Sequence, residues 1–356
     1  MIIASQHQIH IPVRKILVIQ LGDIGDVIWS IPTFWALKET FPRAGLFVLL
    51  RKHRGDFLLD DAHIENIFIV EEGSLCDSLK LVKKIRGENF DLLFDLRADD
   101  RGAYLALFSG AKIKAAQYYP GIPWRNRFFT HLVKEVPAAE KSPGAAQQSL
   151  KIVHGFGIQE STAVPKVFVA EEARKTILER LAREKIPLQN GLVTINPFSR
   201  WSYKEWPMDR WRRLSLWIWR RYQMPVILTG SPAERGRADA LAAGTDGLIF
   251  NFAGKTTLRE MAALLEKSSL HLGVDSAAPH MAAAVGVPTV TLYGPSDWRE
   301  WAFPGEQNRV VVPDMDCVPC CQKGCNGQGR SVCLENLPVE RVQAVVMEIF
   351  KDRETL

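Results

Sequence analysis

The turn Gly22-Asp23-Ile24-Gly25-Asp26 places two carboxylates directly after a short apolar run, KILVIQ. A carboxylate there can take the proton of a weakly acidic hydroxyl, which makes Asp26 or Asp23 a candidate general base. The alternative is a helix cap, in which the same carboxylate accepts backbone N–H groups. The turn is not a dinucleotide fingerprint, because G-x-G-x-x-G needs a glycine where Ile24 stands. A second cluster, SRWSYKEWP at residues 199–207, follows the run GLVTINP. Ser199, the two cations Arg200 and Lys204, and further hydroxyls are the groups a phosphate site uses, and Lys204 can serve as a mobile point charge on a diphosphate. Read structurally, Arg200 is a solvated cation and Trp206 and Trp211 are core anchors.

Two more turns carry polar groups. In Gly230-Ser231-Pro232-Ala233-Glu234 the carboxylate can accept from ribose hydroxyls or complement the positive end of the following helix. Gly273-Val274-Asp275-Ser276-Ala277-Ala278-Pro279-His280 precedes MAAAVG, whose small residues let the backbone approach a ligand closely. Ser276, Ala277 and Ala278 would present N–H groups at that helix start. Asp275 either binds a sugar hydroxyl or orders the turn, and His280 is a ligand contact or a satisfied core histidine.

The cysteines are unevenly placed. Cys76 is alone, while Cys317, Cys320, Cys321, Cys325 and Cys333 crowd CVPCCQKGCNGQGRSVC. Four thiolates can hold a structural zinc or iron–sulfur group, but this spacing matches no standard finger, and in a reducing compartment reduced thiols or a local redox bridge fit as well. The tract lies outside every motif to which chemistry can be attached. Asp60-Asp61 and Asp99-Asp100 read as solvated surface, and no D-x-D follows a strand of the second half to hold a divalent ion.

These residues need a scaffold, and the hydrophobic pattern supplies one. Short apolar β-branched runs alternate with helical stretches: KILVIQ, a helix at 27–39, GLFVLL, a helix at 78–86, FDLLFDL, a helix at 103–109. Residues 137–164 are rich in Ala, Pro, Ser and Gln, and a helix follows from residue 170, so a domain boundary is expected within 165–190. The alternation then restarts through GLVTINP, a helix at 208–221, PVILTG, a helix at 232–243, LIFNFAG, a helix at 258–267, SLHLGVD, a helix at 279–285 and PTVTLYGP. Runs apolar on both faces argue for parallel sheets, and the expected fold is α/β with two doubly wound domains and a cleft between their strand ends.

Composition agrees. A chain of 356 residues with 47% hydrophobic and 24% charged residues has room for two cores and excludes a disordered or fibrous protein. The formal charge of +5 suits a phosphate-bearing or anionic partner and is too small for a dedicated nucleic-acid binder. No apolar run reaches the roughly 18 residues of a membrane span. The first fifteen residues, MIIASQHQIHIPVRK, lack the pattern of a secretory signal, so a cytoplasmic protein is expected.

Four segments, LGDIGDVIWSIPTFWALK, FDLRADDRGA, NPFSRWSYKEWP and GVDSAAPHMAAAVGVPTVTLYGP, together resemble the ADP-heptose:lipopolysaccharide heptosyltransferases, with the cysteine tail closest to the heptosyltransferase III-like group. The resemblance implies a GT-B fold with an acceptor-binding domain at 1–170, a nucleotide-sugar domain at 171–335 and a C-terminal helix at 336–356. It makes Asp26 the general base, Lys204 a diphosphate ligand, Glu234 a ribose contact and Asp275 a heptose contact, with Ser276, Ala277 and His280 at the diphosphate. Ser199 and Arg200 join the donor site. Asp23, Arg97 and Arg101 face the acceptor, Arg101 standing where the family has a basic residue for anionic groups. Two departures from the family pattern are Ser276-Ala277-Ala278-Pro279 before His280, where Thr-Gly is common, and Ser199-Arg200 in place of hydroxyls.

The implied reaction is an inverting, metal-independent transfer of heptose from ADP-heptose to the lipopolysaccharide inner core, without a cofactor. The lipid-linked acceptor implies peripheral contact with the inner membrane through Arg97, Arg101, Arg125 and Arg127, interleaved with Trp124, Phe128 and Phe129. Transfer of another nucleotide sugar to a different glycan, and a non-catalytic nucleotide-binding regulator, are the alternative readings.

Overall fold

The computed structural model describes the chain except for residues 4–6, 72–74, 98, 135–143, 246 and 355–356. Residue 98 of FDLRADDRGA and the first part of the 137–164 stretch thus lie outside the described residues. The chain divides into two compact units, Met1–Lys166 and Val167–Leu356, and each is described by itself.

The first unit is built on a parallel sheet of seven strands among the described residues: β1 (Ile2–Ile3), β2 (Lys15–Gln20), β3 (Gly45–Arg51), β4 (Asn66–Val70), β5 (Leu92–Asp95), β6 (Ile113–Gln117) and β7 (His131–Val133). Their spatial order is β1-β7-β6-β5-β2-β3-β4. KILVIQ sits at the centre because nearly every side chain in it is apolar and buried, so both faces of β2 can be covered by helices. Leu17, Ile19, Phe47, Phe68 and Phe90 form the core on one face, and the Phe47 and Phe90 rings meet edge to face at 5.2 Å.

The second unit holds β8 (Val193–Asn196), β9 (Val226–Leu228), β10 (Ile249–Asn251), β11 (Leu270–Val274), β12 (Thr289–Leu292) and β13 (Asn308–Val311), all parallel in the order β10-β9-β8-β11-β12-β13. Trp206 and Trp211 are buried in its core, edge to face at 5.0 Å, beside Val342 and Val346 of the long final helix Val339–Glu354. The reading of both tryptophans as core anchors holds.

In each sheet the chain winds one way from a central strand, then returns to that strand's other side and winds the opposite way. This reversal falls between β2 and β5 in the first sheet and between β8 and β11 in the second. Loops at the carboxyl ends of such a strand pair splay apart, which makes them the places where doubly wound proteins receive ligands.

Several local expectations change. The helix expected at 27–39 is two helices, Ile24–Trp29 and Ile31–Thr40, broken at Ser30. Ser30 donates from Oγ to the Asp26 carbonyl at 2.8 Å and accepts from the Gln20 side chain at 2.6 Å, so its hydroxyl ties the break to the end of β2. The stretch 232–243 opens with the 3-10 turn Pro232–Glu234 before the helix Arg235–Ala242. Asp61 is not solvated surface: its buried carboxylate accepts from Trp35 Nε1 at 3.0 Å and from the His63 amide at 2.9 Å. Asp99 caps the helix Asp100–Phe108 by accepting the Gly102 N–H at 2.8 Å.

Candidate active site

Asp26 lies in the first turn of Ile24–Trp29, just past β2. Its Oδ2 accepts the Asp23 N–H at 2.8 Å and an Arg97 guanidinium N–H at 3.0 Å. The helix-cap reading is therefore correct as geometry, and it coexists with a charged partner that a simple cap does not need. Gly22 makes this fold-back possible, since a Cβ there would stand 2.5 Å from Asp26 Oδ2. Gln20 fixes the turn from below, accepting the Gly22 N–H at 3.0 Å.

Arg97 follows β5, so the Asp26–Arg97 pair spans the reversal point of the first sheet. The Asp95 carboxylate shapes that side: Oδ1 accepts the Arg97 N–H at 3.2 Å, and Gly102 approaches so closely that a Cβ would fall 2.4 Å from Oδ2. Asp23 faces Arg51 and Arg54 at 3.9 and 3.7 Å. Arg101 is turned elsewhere, donating to the Glu71 carbonyl at 2.6 Å.

In the second unit Lys204 Nζ meets Asp275 Oδ2 at 2.5 Å, Lys204 following β8 and Asp275 following β11. This pair spans the second reversal point. Asp275 is 7% exposed. Beneath it, burial lowers the pKa of His280 to about 4, the Asp275 charge opposing and the Lys204 charge adding to that shift. Burial likewise pushes the Tyr293 phenol well above its ordinary range, with Asp275 adding to the effect. His280 is thus a neutral imidazole near pH 7, and a buried carboxylate is left with a lysine as its charge partner.

Ser276 is the N-cap residue of the helix Ala277–Ala284, and its buried hydroxyl has no hydrogen-bond partner among the described residues. Gly273 lets that helix close on β11, since a Cβ there would lie 2.9 Å from Pro279. The expected groups Lys204, Asp275 and His280 come together, with Ser276 and Ala277 at the adjoining helix start. Glu234 is engaged locally, its Oε2 accepting the Ser231 N–H at 2.6 Å. Ser199 Oγ accepts the Trp201 N–H at 3.3 Å, and Arg200 lies over the Trp201 ring.

Sequence reasoning missed the residues that hold the lysine loop. Glu205, next to Lys204, accepts the Ser199 N–H at 3.0 Å and takes both terminal nitrogens of Arg237, a guanidinium that also lies 5.0 Å over the Phe198 ring. The E-W-P spelling after the lysine was the available signal. Its arginine partner, 32 residues on, had none.

The cysteine tract also proves to be tied to this loop. Ser202 Oγ donates to the Gly329 carbonyl at 2.8 Å, and Ser331 Oγ donates to the Tyr203 carbonyl at 2.6 Å. The tract, which carries no chemical motif of its own in the sequence, is thus held against the loop that bears Lys204. All six cysteines are free thiols, and among the described residues no three His, Cys, Asp or Glu side chains are gathered to hold a metal ion. Burial pushes the Cys333 thiol up to about 11, helped by the nearby Cys325, Cys317 and Cys320.

With this geometry in place, comparison with known proteins is decisive. The sequence profile of glycosyltransferase family 9 (heptosyltransferase) matches residues 78–330. The chain belongs to this family. It is 29% identical over 294 residues to lipopolysaccharide heptosyltransferase 3 of Escherichia coli strain K12, covering 78% of this chain and 82% of that protein. Among solved structures, a family 9 glycosyl transferase from Veillonella parvula superposes with a TM-score of 0.79 at 19% identity, covering 95% of this chain and 97% of that one. The E. coli ADP-heptose lps heptosyltransferase II superposes with a TM-score of 0.78 at 20% identity, covering 96% and 99%. The fold is that of the GT-B heptosyltransferases, and the protein is a glycosyltransferase. The profile match begins after the Gly22–Asp26 turn, so the case for Asp26 rests on its own geometry.

Proposed function

We propose that this family 9 glycosyltransferase moves heptose from ADP-heptose to the lipopolysaccharide core with inversion at the anomeric carbon. The observation that carries the reading is the Lys204–Asp275 pair across the second reversal point, beside the start of Ala277–Ala284. A lysine and a helix N-terminus are the groups that hold a diphosphate, and the orphan Ser276 hydroxyl adds a donor there. When the donor binds, Lys204 turns toward the diphosphate, and Asp275 is released to accept from sugar hydroxyls. Glu234 would leave Ser231 to take the ribose, and Ser199 and Arg200 flank the nucleotide.

In the first unit Asp26 is the base. Its two protein contacts fall on Oδ2, which leaves the other oxygen to take the proton of the acceptor hydroxyl as that hydroxyl attacks. Arg97 receives the anionic groups of the acceptor, Asp23 accepts from its hydroxyls, and Arg101 joins Arg97 by leaving the Glu71 carbonyl. The charge that develops on departing ADP is met by Lys204 and the helix start, a device that needs no divalent ion.

The acceptor is lipid-linked, and the reading includes contact with the inner membrane face. Its surface differs from the one expected from sequence. Phe129 is buried in the core, and Arg125 is drawn in beside Asp100 at 3.3 Å. Trp124 and Arg127 are exposed as expected, and Tyr104 and Phe108 join them at the surface, Tyr104 and Trp124 lying 5.9 Å apart. Flotation with vesicles of anionic or neutral lipid tests this surface; equal recovery with both would exclude the charge-assisted contact.

The direct assay supplies ADP-heptose and a truncated core acceptor, reads ADP release, and assigns the anomeric configuration of the product by NMR. Retention of configuration would overturn the single-displacement mechanism. Turnover with another sugar donor and none with ADP-heptose would replace the donor assignment.

A further inference from the structure

We propose that residues 317–337 form a brace that positions Lys204, with Ser331 as its buried positioning residue. The inference rests on the reading of Lys204 as a donor ligand.

Two stretches of the second unit run side by side in the same direction, joined by side chains that bond to backbone. Ser202 reaches the Gly329 carbonyl at 2.8 Å, and Ser331 reaches back to the Tyr203 carbonyl at 2.6 Å. Further along, Trp206 Nε1 and an Arg210 guanidinium N–H both donate to the Leu337 carbonyl, at 3.0 and 2.5 Å. Lys204 lies inside this ladder, so its backbone is held on both sides by a segment more than 120 residues away in the chain.

The brace is itself anchored. Leu334 and Leu337 are buried in the core, and Leu334 and Cys333 sit against Gly294, where a Cβ would fall 2.7 Å from the Leu334 side chain. The Cys321 N–H donates to the Pro295 carbonyl at 2.7 Å. Between these anchors the chain folds back on itself, the Cys325 N–H donating to the Arg330 carbonyl at 2.8 Å. Gly324, with φ of 94° and the Arg330 backbone 2.9 Å from any added Cβ, permits that return. The tract therefore links the end of β12 to the loop after β8, two edges of one ligand-receiving rim.

Ser331 is 4% exposed and spends its hydroxyl proton on Tyr203, so it has no route to a bound ligand. Its effect must pass through the loop. Replacing it by alanine strands the Tyr203 carbonyl and frees the loop to wander from the position that aims Lys204.

The test measures ADP binding and steady-state kinetics for the full chain, for S331A and for K204A. We expect S331A to raise the donor KM by roughly tenfold, the worth of one well-made hydrogen bond to a loop, with kcat and the acceptor KM within about twofold of the parent. A brace that helps hold the donor site is in turn steadied by the donor, so saturating ADP should slow maleimide labelling of the buried Cys333, and should do so much less in K204A. This second measurement needs no change to Ser331. If K204A binds ADP as the parent does, the donor reading itself fails. If K204A loses ADP while S331A binds normally and ADP leaves Cys333 labelling unchanged, the brace fails and the donor reading stands. A parallel loss of kcat and both KM values in S331A would mark a general structural defect and overturn the positioning role.

Discussion

The two sheets answer the same topological situation with opposite chemistry. Each carries an ion pair across its reversal point, one partner following the central strand and the other following the strand where the winding turns back. In the first sheet the acid comes first, Asp26 after β2 and Arg97 after β5. In the second the base comes first, Lys204 after β8 and Asp275 after β11. Burial differs as well. The Asp26 and Arg97 side chains are 24% and 45% exposed, whereas those of Asp275 and Lys204 are 8% and 22% exposed, above a neutral histidine. The first carboxylate is left partly open to solvent beside a half-exposed arginine. The lysine, by contrast, lies against a carboxylate that is almost wholly covered. One architecture thus carries an ion pair of either polarity, open or covered, at its reversal point, and the proposed roles of proton acceptor and anion receiver follow that difference.

Removing each acid or base from this comparison should break it in a different way. Asp26→Asn keeps the shape and the fold-back but removes the basic oxygen, so kcat should fall by about 10³-fold while ADP affinity stays within about twofold. Unchanged turnover would remove Asp26 from the chemistry. Lys204→Ala should act the other way, weakening ADP binding by about 10²-fold by calorimetry. It should also lower thermal stability, because a buried carboxylate loses its partner. If the midpoint of unfolding does not move, Asp275 is better solvated than its position implies.

Gly22→Ala probes the first pair without touching either charge. The new methyl group must displace the Asp26 carboxylate, a partly exposed side chain that can swing aside, so turnover should drop about tenfold with a stability loss below about 1 kcal/mol. A stability loss as large as the kinetic one would show the backbone yielding instead. The last test leaves both pairs intact and sharpens the contrast in burial. His271 in β11 is fully buried, and its pKa is lowered by burial to about 3. The unfolded chain takes up a proton near the ordinary value of 6.5 and the folded unit does not, so stability falls as pH drops from about 6.5 toward 3 and is flat above that window. In His271→Asn the slope of unfolding free energy against pH between 6 and 4 should flatten by about 1.4 kcal/mol per unit. An unchanged slope would mean that His271 is protonated in the folded state.

Much of this was legible in residue types and spacing. Central strands such as KILVIQ and SLHLGVD are covered on both faces and announce themselves as apolar runs. Of the strands that escaped, β1 has only two residues, and β4, β6, β7 and β13 carry Asn, Lys, Gln, His or Arg and lie toward sheet edges. They are fixed by partners distant in sequence. The same holds for the site. Asp26, Lys204 and Asp275 each stand at a strand-to-helix turn that local pattern can find, whereas Arg97 meets Asp26 across 71 residues and Arg237 meets Glu205 across 32. Ser331, across 128 residues, carries no local mark at all. Local chemistry nominates the groups that act, and tertiary contact selects the groups that hold them.

The ladder between the lysine loop and residues 329–337 also bears on the order in which the molecule comes into being. During synthesis the first unit can complete its sheet from residues no later than Val133, and every described strand of the second has been made once Val311 is present. The lysine loop, made more than a hundred residues earlier, cannot acquire its side-chain-to-backbone bonds until Gly329, Ser331 and finally Leu337 have followed. A nascent chain therefore contains every described strand before it contains the residues that fix the loop carrying Lys204, and the core of the second unit is likewise completed only by Leu334, Val342 and Val346.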